Sequence, residues 1–510
     1  MKDGQSTLPD LPGGARPNIL LITTDQMRAD HIGCYENPVI RTPHLDSLAA
    51  EGVRFTRAYV SNPVCMPNRA TIATGRLPRN HRTWSNGIDL DQSETTIADI
   101  LADHGYHTAL IGKGHLTSYG GEPGEPPYYD NFKAWQTGLM TPEWSGPYYG
   151  FRECRLSVGH GNWGHSSAHY GAWLRENFTE FADDFMKGAR LSPIGSPQCY
   201  TPALPVEAVS ASWVGENACD YLAARAADRQ PFLSWVSFPG PHHPFCPPSP
   251  YDTMYDHADV VMPRFGREAL ADKPEHFRRA WRGGELWEGI GRQDVWKDLS
   301  EPQLREIIAR TYGMITLIDD NIGKILNTLD ETGLADNTVV IFTSDHGDLM
   351  GDCGLVLKGP FLLEGLINVP VIWRLPGCRP CTSEALLNSC DIAPTIMDIV
   401  GLPQARVMDG LSVAAALSGG AGVREAAVVE FKSRYRPELN LRSIVTRDWK
   451  LTHYAGLGCG ELYDMNAEVP EAVNLYSDLR FSEHRGRLER MLLDMEILCQ
   501  DEKYQPKAHA

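Results

Sequence analysis

No stretch of this 510-residue sequence approaches the ~18 consecutive apolar residues that a bilayer-spanning helix requires. Met1 to Pro17 is polar and rich in Gly and Pro, without the apolar core of a secretory signal. A membrane partner is therefore not expected, and a cytoplasmic location is. Basic charge is in deficit: 47 Lys plus Arg face 65 Asp plus Glu, for a net charge of −18. A field of that sign repels polyanions, so nucleic acid is not an expected partner, and an anionic ligand needs a local cluster of cations. The 12 cysteines show no framework spacing, which in a chain this long indicates mostly reduced, buried thiols. Cys378 and Cys381 form a C-x-x-C pair with no second pair to complete a zinc site. Internal repeats and low-complexity tracts are absent. Oligomeric state is not legible, and a homo-oligomer is compatible with everything here.

What is present is ordinary soluble-protein composition, 42% apolar and 22% charged, in a chain long enough for one large domain and a smaller one. Asn18 to Thr24 is a continuous apolar run ending at Asp25-Gln26, the pattern of a strand buried on both faces. Leu334 to Phe342, followed by Thr343-Ser344-Asp345-His346-Gly347, repeats it. Ligands in open α/β sheets bind beyond the carboxyl ends of the strands, so two distant strands ending in Asp25-Gln26 and Asp345-His346 point to one shared site. Thr42 to Gly52 reads as a helix with Thr42 as N-cap and Pro43 in the first turn. Glu301 to Glu331 reads as a longer helix, with Ile307, Ile308, Tyr312, Ile315, Ile318 and Ile322 at helical spacing. Gly120 to Pro250 reads as long loops and insertions over the sheet. After about Gly410 come shorter alternating runs (Ala427 to Phe431, Ser443 to Tyr454) and a polar helix from about Ser482 to Gln500. The expectation is an α/β fold with a large mixed, mostly parallel sheet flanked by helices. An extension over 1–17 precedes this domain (18–410), and a smaller α+β domain (411–510) follows it.

Chemistry is concentrated in a few places. In the segment Asn62 to Arg76, Pro67 suits the first turn of a helix running to Thr74, which puts Cys65 just before its N-terminus. Unpaired N–H groups and partial positive charge there favour an anion, and Arg69 sits at the same end. By its physics alone, the segment fits a buried cysteine as well as it fits a nucleophile. Asp25, Gln26, Asp345 and His346 offer mostly oxygen donors with one imidazole, which suits a hard divalent cation; N-capping is the alternative role. Lys113 and His115, in Gly112-Lys113-Gly114-His115, follow a strand over Thr108 to Ile111 and would share a face at period two. His242 and His243 follow another strand, Phe232 to Phe238. Asn86, in Ser85-Asn86-Gly87, is first a turn signal, and Lys358 taken alone reads as solvated. Trp135, Trp144, Tyr148, Tyr149 and Trp163 fit either an aromatic pocket or the core of the loops.

The segment C-x-P-x-R followed by A-T-x-x-T-G-R, at Cys65 to Arg76, resembles the signature of the type I sulfatases of the alkaline phosphatase superfamily. Seven blocks recur in that family's order: P-N-I-L-L-I-T-T-D-Q, T-P-H-L-D-S-L-A-x-E-G-V-R-F, the cysteine motif, G-R-L-P-R-N-H, G-K-G-H, T-S-D-H-G-D and E-L-Y-D-M. They span nearly the whole chain. The resemblance implies that a formylglycine-generating enzyme oxidises Cys65 to formylglycine. It implies one divalent metal ion held by Asp25, Gln26, Asp345, His346 and the oxygen at position 65. Calcium is expected, with manganese or magnesium as substitutes, because Gln26 and His346 stand where many members carry Asp and Asn. Lys113, His115 and Lys358 are implied as sulfate and nucleophile contacts, Arg69 as a charge-balancing group and Asn86 as a substrate contact. The H-x-P register makes His242 the general acid, with His243 as the fallback. In the implied reaction one hydroxyl of the hydrated aldehyde attacks sulfur and His242 protonates the leaving alcohol. The second hydroxyl then loses its proton to His115, expelling sulfate.

Phosphonate monoester hydrolases resemble this chain in Asp25-Gln26 and Asp345-His346 but tend to lack the Lys and His of G-K-x-H. Lys113 and His115 therefore favour a small-molecule sulfate monoester, arylsulfatase-like, with secondary phosphonate or phosphodiester activity. Phosphonate hydrolysis as the main activity is the alternative. A non-catalytic protein that captures sulfated ligands, with Cys65 left as a thiol, is a third reading.

Overall fold

The computed structural model describes residues 16–500, apart from 160–166, 183–185, 229, 284–285, 288–290, 293–295 and 406. Trp163 lies outside the described residues. The main sheet has eight strands: β1 (Asn18–Asp25), β2 (Val53–Tyr59), β3 (His107–Gly112), β4 (Glu153–Leu156), β5 (Phe232–Pro241), β6 (Thr338–Ser344), β7 (Val371–Arg374) and β8 (Cys381–Asn388). Their order across the sheet is β8-β2-β7-β6-β1-β5-β3-β4. Every neighbouring pair is parallel except those made by β7, which runs antiparallel to β6 and β2. The three central strands β1, β5 and β6 are buried at every position, which is why their sequences read as unbroken apolar runs. Thr24 pairs with Ser344, and the Asp345 N–H donates to the Thr24 carbonyl at 3.0 Å. That register delivers Asp25 and Asp345 side by side at the carboxyl edge.

Five helices matter for the site and its support: α1 (Pro43–Ala50), α2 (Cys65–Thr74), α3 (Ser210–Ala226), α4 (Glu301–Glu331) and α5 (Ser482–Leu498). α4 packs on α3, α1 and β5, burying Ile307, Ile308, Tyr312, Ile315, Ile318 and Ile322 as the spacing predicts. Thr42 precedes α1 but its side chain makes no capping bond. Its hydroxyl binds Asp46, and the His44 and Leu45 N–H groups are capped instead by Asp319 of α4, at 3.1 and 2.8 Å. A cap supplied from 275 residues away has no local sequence signal.

The stretch from Gly120 to Pro250 is more than loops: it supplies edge strand β4, helix α3 and the central strand β5. Leu334 to Asn337 is a turn before β6 rather than part of it. Four antiparallel strands, β9 (Ala427–Lys432), β10 (Asn440–Val445), β11 (Trp449–Tyr454) and β12 (Gly460–Asp464), form a second, smaller sheet in chain order. The alternating run from Ser443 to Tyr454 is therefore two strands, β10 and β11, joined by a turn in which the Thr446 N–H reaches the Trp449 carbonyl at 2.8 Å. α5 covers this sheet by packing Leu488 and Leu492 against Val428, Ile444, Leu451 and Leu462. Arg79, from the catalytic side, binds Glu430 of β9 at 2.6 Å and also Glu496 of α5. The 12 cysteines are free thiols, and no helix among the described residues is long and apolar enough to cross a membrane.

Candidate active site

Cys65 is the first residue of α2, one position further in than the sequence pattern places it, with Val64 as N-cap. The helix end is capped from outside: Asn86 Oδ1 accepts the Met66 N–H at 3.0 Å. Position 65 is the unmodified cysteine, so contacts of Sγ stand in for those of an aldehyde or its hydrate. Cys65 Sγ lies 3.2 Å from His346 Nε2, 3.0 Å from Lys358 Nζ and 3.6 Å from Asp25 Oδ1. Burial and the Asp25 carboxylate push its thiol above the ordinary range, against the pull of Lys113 and Lys358.

Around it the predicted residues converge. Arg69 Nε donates to Asp345 Oδ2 at 2.7 Å, and Arg69 Nη1 to the Lys113 carbonyl and Ser237 Oγ at 3.0 and 2.8 Å. Burial works against the charge on Arg69, and Asp345 and Asp25 outweigh it, so its pKa is raised. Lys113 Nζ is paired with Asp25 Oδ2. Gln26 takes a left-handed φ of 69° at the strand end. Its N–H donates to Asp345 Oδ1 at 3.1 Å and its amide to Asp348 Oδ2 at 2.6 Å. That leaves Gln26 Oε1 to accept from Lys358 Nζ at 2.9 Å.

His346 can be assigned a tautomer. Its Nδ1 lies 2.8 Å from the Gly347 carbonyl, which can only accept, so Nδ1 carries the proton and Nε2 presents a lone pair. Burial, then Lys358, depress its pKa to about 4, so the ring is neutral. That lone pair, Gln26 Oε1 and Cys65 Sγ all point at one cation, Lys358 Nζ, which is 3.0 Å from His346 Nε2. The ligand atoms of Asp25, Cys65, Asp345 and His346 lie within 4.8 Å of one another. Two carboxylates already paired with buried cations, with an amide oxygen and a neutral imidazole that both face Lys358, form a donor set that fits a divalent cation.

Three predicted residues are placed differently from the expectation. Lys113 and His115 share the pocket, but not by strand alternation. β3 ends at Gly112, whose φ of +102° turns the chain and whose missing Cβ leaves room for the Ser237 carbonyl 2.0 Å from where it would sit. His115 has a left-handed φ of 60° and is held by its N–H donating to Asp130 Oδ1 at 3.0 Å. Asn86 spends its side-chain oxygen on the α2 cap. His242 and His243 follow β5 as a stacked pair with centroids 4.0 Å apart. His243 Nδ1 is 3.4 Å from the Gln26 amide, and His242 Nδ1 is 2.6 Å from the His243 carbonyl.

A family model described as sulfatase matches residues 17–402. The chain belongs to the sulfatase family. A second model, described as N-sulphoglucosamine sulphohydrolase, C-terminal, matches residues 351–497 of this sulfatase. Among its relatives is the "Uncharacterized sulfatase YidJ" of Escherichia coli, 30% identical over 94% of this chain and 87% of that one. An arylsulfatase of Clostridium perfringens is 29% identical, covering 94% of each. Among solved structures, a phosphonate monoester hydrolase of Agrobacterium radiobacter superposes with a TM-score of 0.80 at 28% identity, covering 96% of this chain and 97% of that one. As a sulfatase the protein is a sulfuric ester hydrolase with an alkaline phosphatase-like fold.

Sequence reasoning missed a supporting layer in this sulfatase. Asp130 is fully buried and accepts from the N–H groups of His115 and Thr117, the Thr117 hydroxyl and the Tyr148 hydroxyl. Tyr119 stacks on His115 at 3.7 Å and lies 5.7 Å from Lys113 Nζ. Asp348 orients the Gln26 amide and also accepts the Met350 and Leu357 N–H groups, each at 2.8 Å. Only Asp348 had a flag, the final D of T-S-D-H-G-D. Among the described aromatic residues of the insertion, Trp135, Trp144, Tyr148 and Tyr149 pack within the loops: Trp144 stacks on Tyr129 at 5.2 Å and Tyr148 is fully buried.

Proposed function

We propose that the protein hydrolyses sulfate monoesters of small alcohols, arylsulfatase-like, with formylglycine at position 65 and one divalent cation held by Asp25, Gln26, Asp345 and His346. The observation that carries this reading is the pair of buried ammonium groups, Lys113 and Lys358, that reach the Cys65 pocket beside His115. An anion entering there meets charge that the acidic surface denies it elsewhere. The raised thiol pKa supports the modification, because a cysteine kept protonated is a weak nucleophile. A formylglycine supplies hydrated-aldehyde oxygens in its place, and the cation supplies Lewis-acid activation there; calcium suits the oxygen donors, with manganese or magnesium as alternatives.

This chain's own groups do the rest. Lys113, Lys358 and Arg69 hold the charge that builds on the sulfuryl oxygens as the bond from sulfur to the leaving oxygen breaks. Arg69 Nη2 is buried and makes no hydrogen bond among the described residues, so it has capacity for an anion. His242 Nδ1 faces the His243 carbonyl at 2.6 Å, so Nε2 is the atom assigned to deliver a proton to the departing alcohol, from the doubly protonated imidazolium form; His243, against Gln26, is the alternative. His115, ordered by Asp130 and Tyr119, takes the proton that accompanies release of sulfate. Maturation would require a formylglycine-generating enzyme.

A specific observation favours a second reading. Gln26 and His346 occur together here, and the chain superposes well on a phosphonate monoester hydrolase, so phosphonate or diester hydrolysis is proposed as a secondary activity. Catalytic efficiency on aryl sulfate and aryl phosphonate monoesters with the same leaving group tests the order. The sulfate is expected to be the better substrate; a large phosphonate advantage would reverse the assignment.

A further inference from the structure

Lys358 is the cation on which the site converges, yet its own stretch of chain does not fix where it points. It stands between Leu357, with a left-handed φ of 65°, and Gly359, with a φ of 147°. A bulky residue in the left-handed region is strained and persists only where its surroundings impose it. No helix or strand runs through 355–363 to supply that constraint. The direction of Lys358 therefore comes from what grips the backbone on either side. On the near side the grip belongs to the large sheet's own loops. Asp348 Oδ1 accepts the Leu357 N–H at 2.8 Å, and the Leu349 N–H donates to the Leu357 carbonyl at 2.8 Å.

Beyond Lys358, three buried side chains take over: His276, Lys450 and Glu471. His276, in the helix Glu275–Arg282, has Nε2 2.8 Å from the Pro360 carbonyl. That carbonyl can only accept, so Nε2 carries a proton. The same ring stacks on Phe361, with centroids 5.5 Å apart and planes 11° from parallel. Lys450 of β11 donates through Nζ to the Leu362 carbonyl at 2.7 Å and is paired with Glu471. Glu471 Oε2 accepts the Glu364 N–H at 2.9 Å. One ion pair thus holds two backbone groups of the loop that carries Lys358. Its far end is anchored in the small sheet: Lys273 Nζ donates to the Glu471 carbonyl and to the Tyr463 hydroxyl of β12, the latter at 2.7 Å. A buried ion pair adds little net stability over apolar residues of the same volume. What this one supplies is a pair of directed bonds.

We infer that His276, Lys450 and Glu471 are positioning residues for Lys358, so that the C-terminal sheet helps to fix where the ammonium of the Cys65 pocket stands. This rests on the reading of Lys358 as part of a sulfatase site. The three residues act through the loop and its carbonyls, and Lys358 alone meets the anion. Precision matters there, because misplacing a reacting group by about 1 Å costs on the order of 10²-fold in rate.

The test is a pair of double-mutant cycles on Lys358, with para-nitrophenyl sulfate as substrate. His276→Phe keeps a ring against Phe361 and removes the donor to Pro360. Lys450→Met combined with Glu471→Gln removes the ion pair without stranding either charge. Each change is expected to lower kcat/KM by about 10–100-fold in the parent enzyme. Added to Lys358→Ala, each should cost less than about twofold, since an ammonium that is gone cannot be misplaced. His276→Gln, which keeps a donor near the Nε2 position, is expected to retain most of the activity that His276→Phe loses. Equal losses in the two backgrounds would mean general support of the fold, and no loss in the parent would mean no role; either overturns the inference. Should the Lys450→Met, Glu471→Gln protein fail to fold, the His276 cycle decides. Calorimetric binding of inorganic sulfate runs the same cycles without turnover, with weakening expected in the parent and not in Lys358→Ala. If para-nitrophenyl sulfate is not hydrolysed, the hydrolase reading fails and the sulfate-binding cycles still decide the positioning; absence of sulfate binding as well overturns both.

Discussion

Lys358 stands at the centre of the residue-scale account, because its ammonium is within about 3 Å of Cys65 Sγ, Gln26 Oε1 and His346 Nε2. If it stabilises developing charge, Lys358→Ala should lower kcat/KM on an aryl sulfate by about 10²–10³; a loss of less than tenfold would remove it from the machinery. Asp130 acts through others. It accepts four hydrogen bonds and donates none, so Asp130→Asn points an amide donor at existing donors. The cost expected is about 1–3 kcal/mol, read by urea unfolding, with a fall in kcat as His115 loses its anchor. The ligand-type residues were legible because oxygen donors at paired strand ends have a chemical signature. Tyr119 and Asp130 were not, because nothing along the chain says that a loop will fold back onto His115.

At the scale of elements, the central strands could be read from their unbroken apolar runs, since a strand covered on both faces has no polar side to show. β5 was visible for the same reason, although the segment around it looked like loops. The Thr42 cap was misread because Asp319, far along the chain, takes that role. The seam between the large sheet and the C-terminal sheet depends on charge: Glu430 is almost wholly buried and is paired with Arg79 at 2.6 Å. Arg442 Nη2 forms a second, longer ion pair with it at 3.9 Å. Arg79→Ala would leave the buried carboxylate with that longer pair alone and should destabilise the protein by about 3 kcal/mol. Chemical unfolding measures this, and a change under 1 kcal/mol would mean that the seam is held by packing alone.

At the scale of the whole molecule, acid should unfold the protein through its buried imidazoles. His31, His81 and His276 are buried, and burial depresses their pKa values to about 4, 3 and 4. In the unfolded chain each takes a proton near pH 6.5, as in model peptides. Below that pH the unfolded state therefore binds more protons, and stability falls as pH drops, by about 1.4 kcal/mol per unit per group. Asp319, raised to about 7 by burial, works in the opposite sense, losing stability as pH rises towards 7. Comparison with His81→Gln isolates one imidazole: between pH 7 and pH 5 the variant should lose about 2 kcal/mol less than wild type. Equal losses would show that His81 is not held neutral. The chain's overall function rests on one side chain, and the mass of the peptide containing residue 65, from enzyme purified from its native host and active on an aryl sulfate, tests it most directly. The account predicts formylglycine or its hydrate at that position; an intact cysteine thiol in fully active enzyme would contradict it.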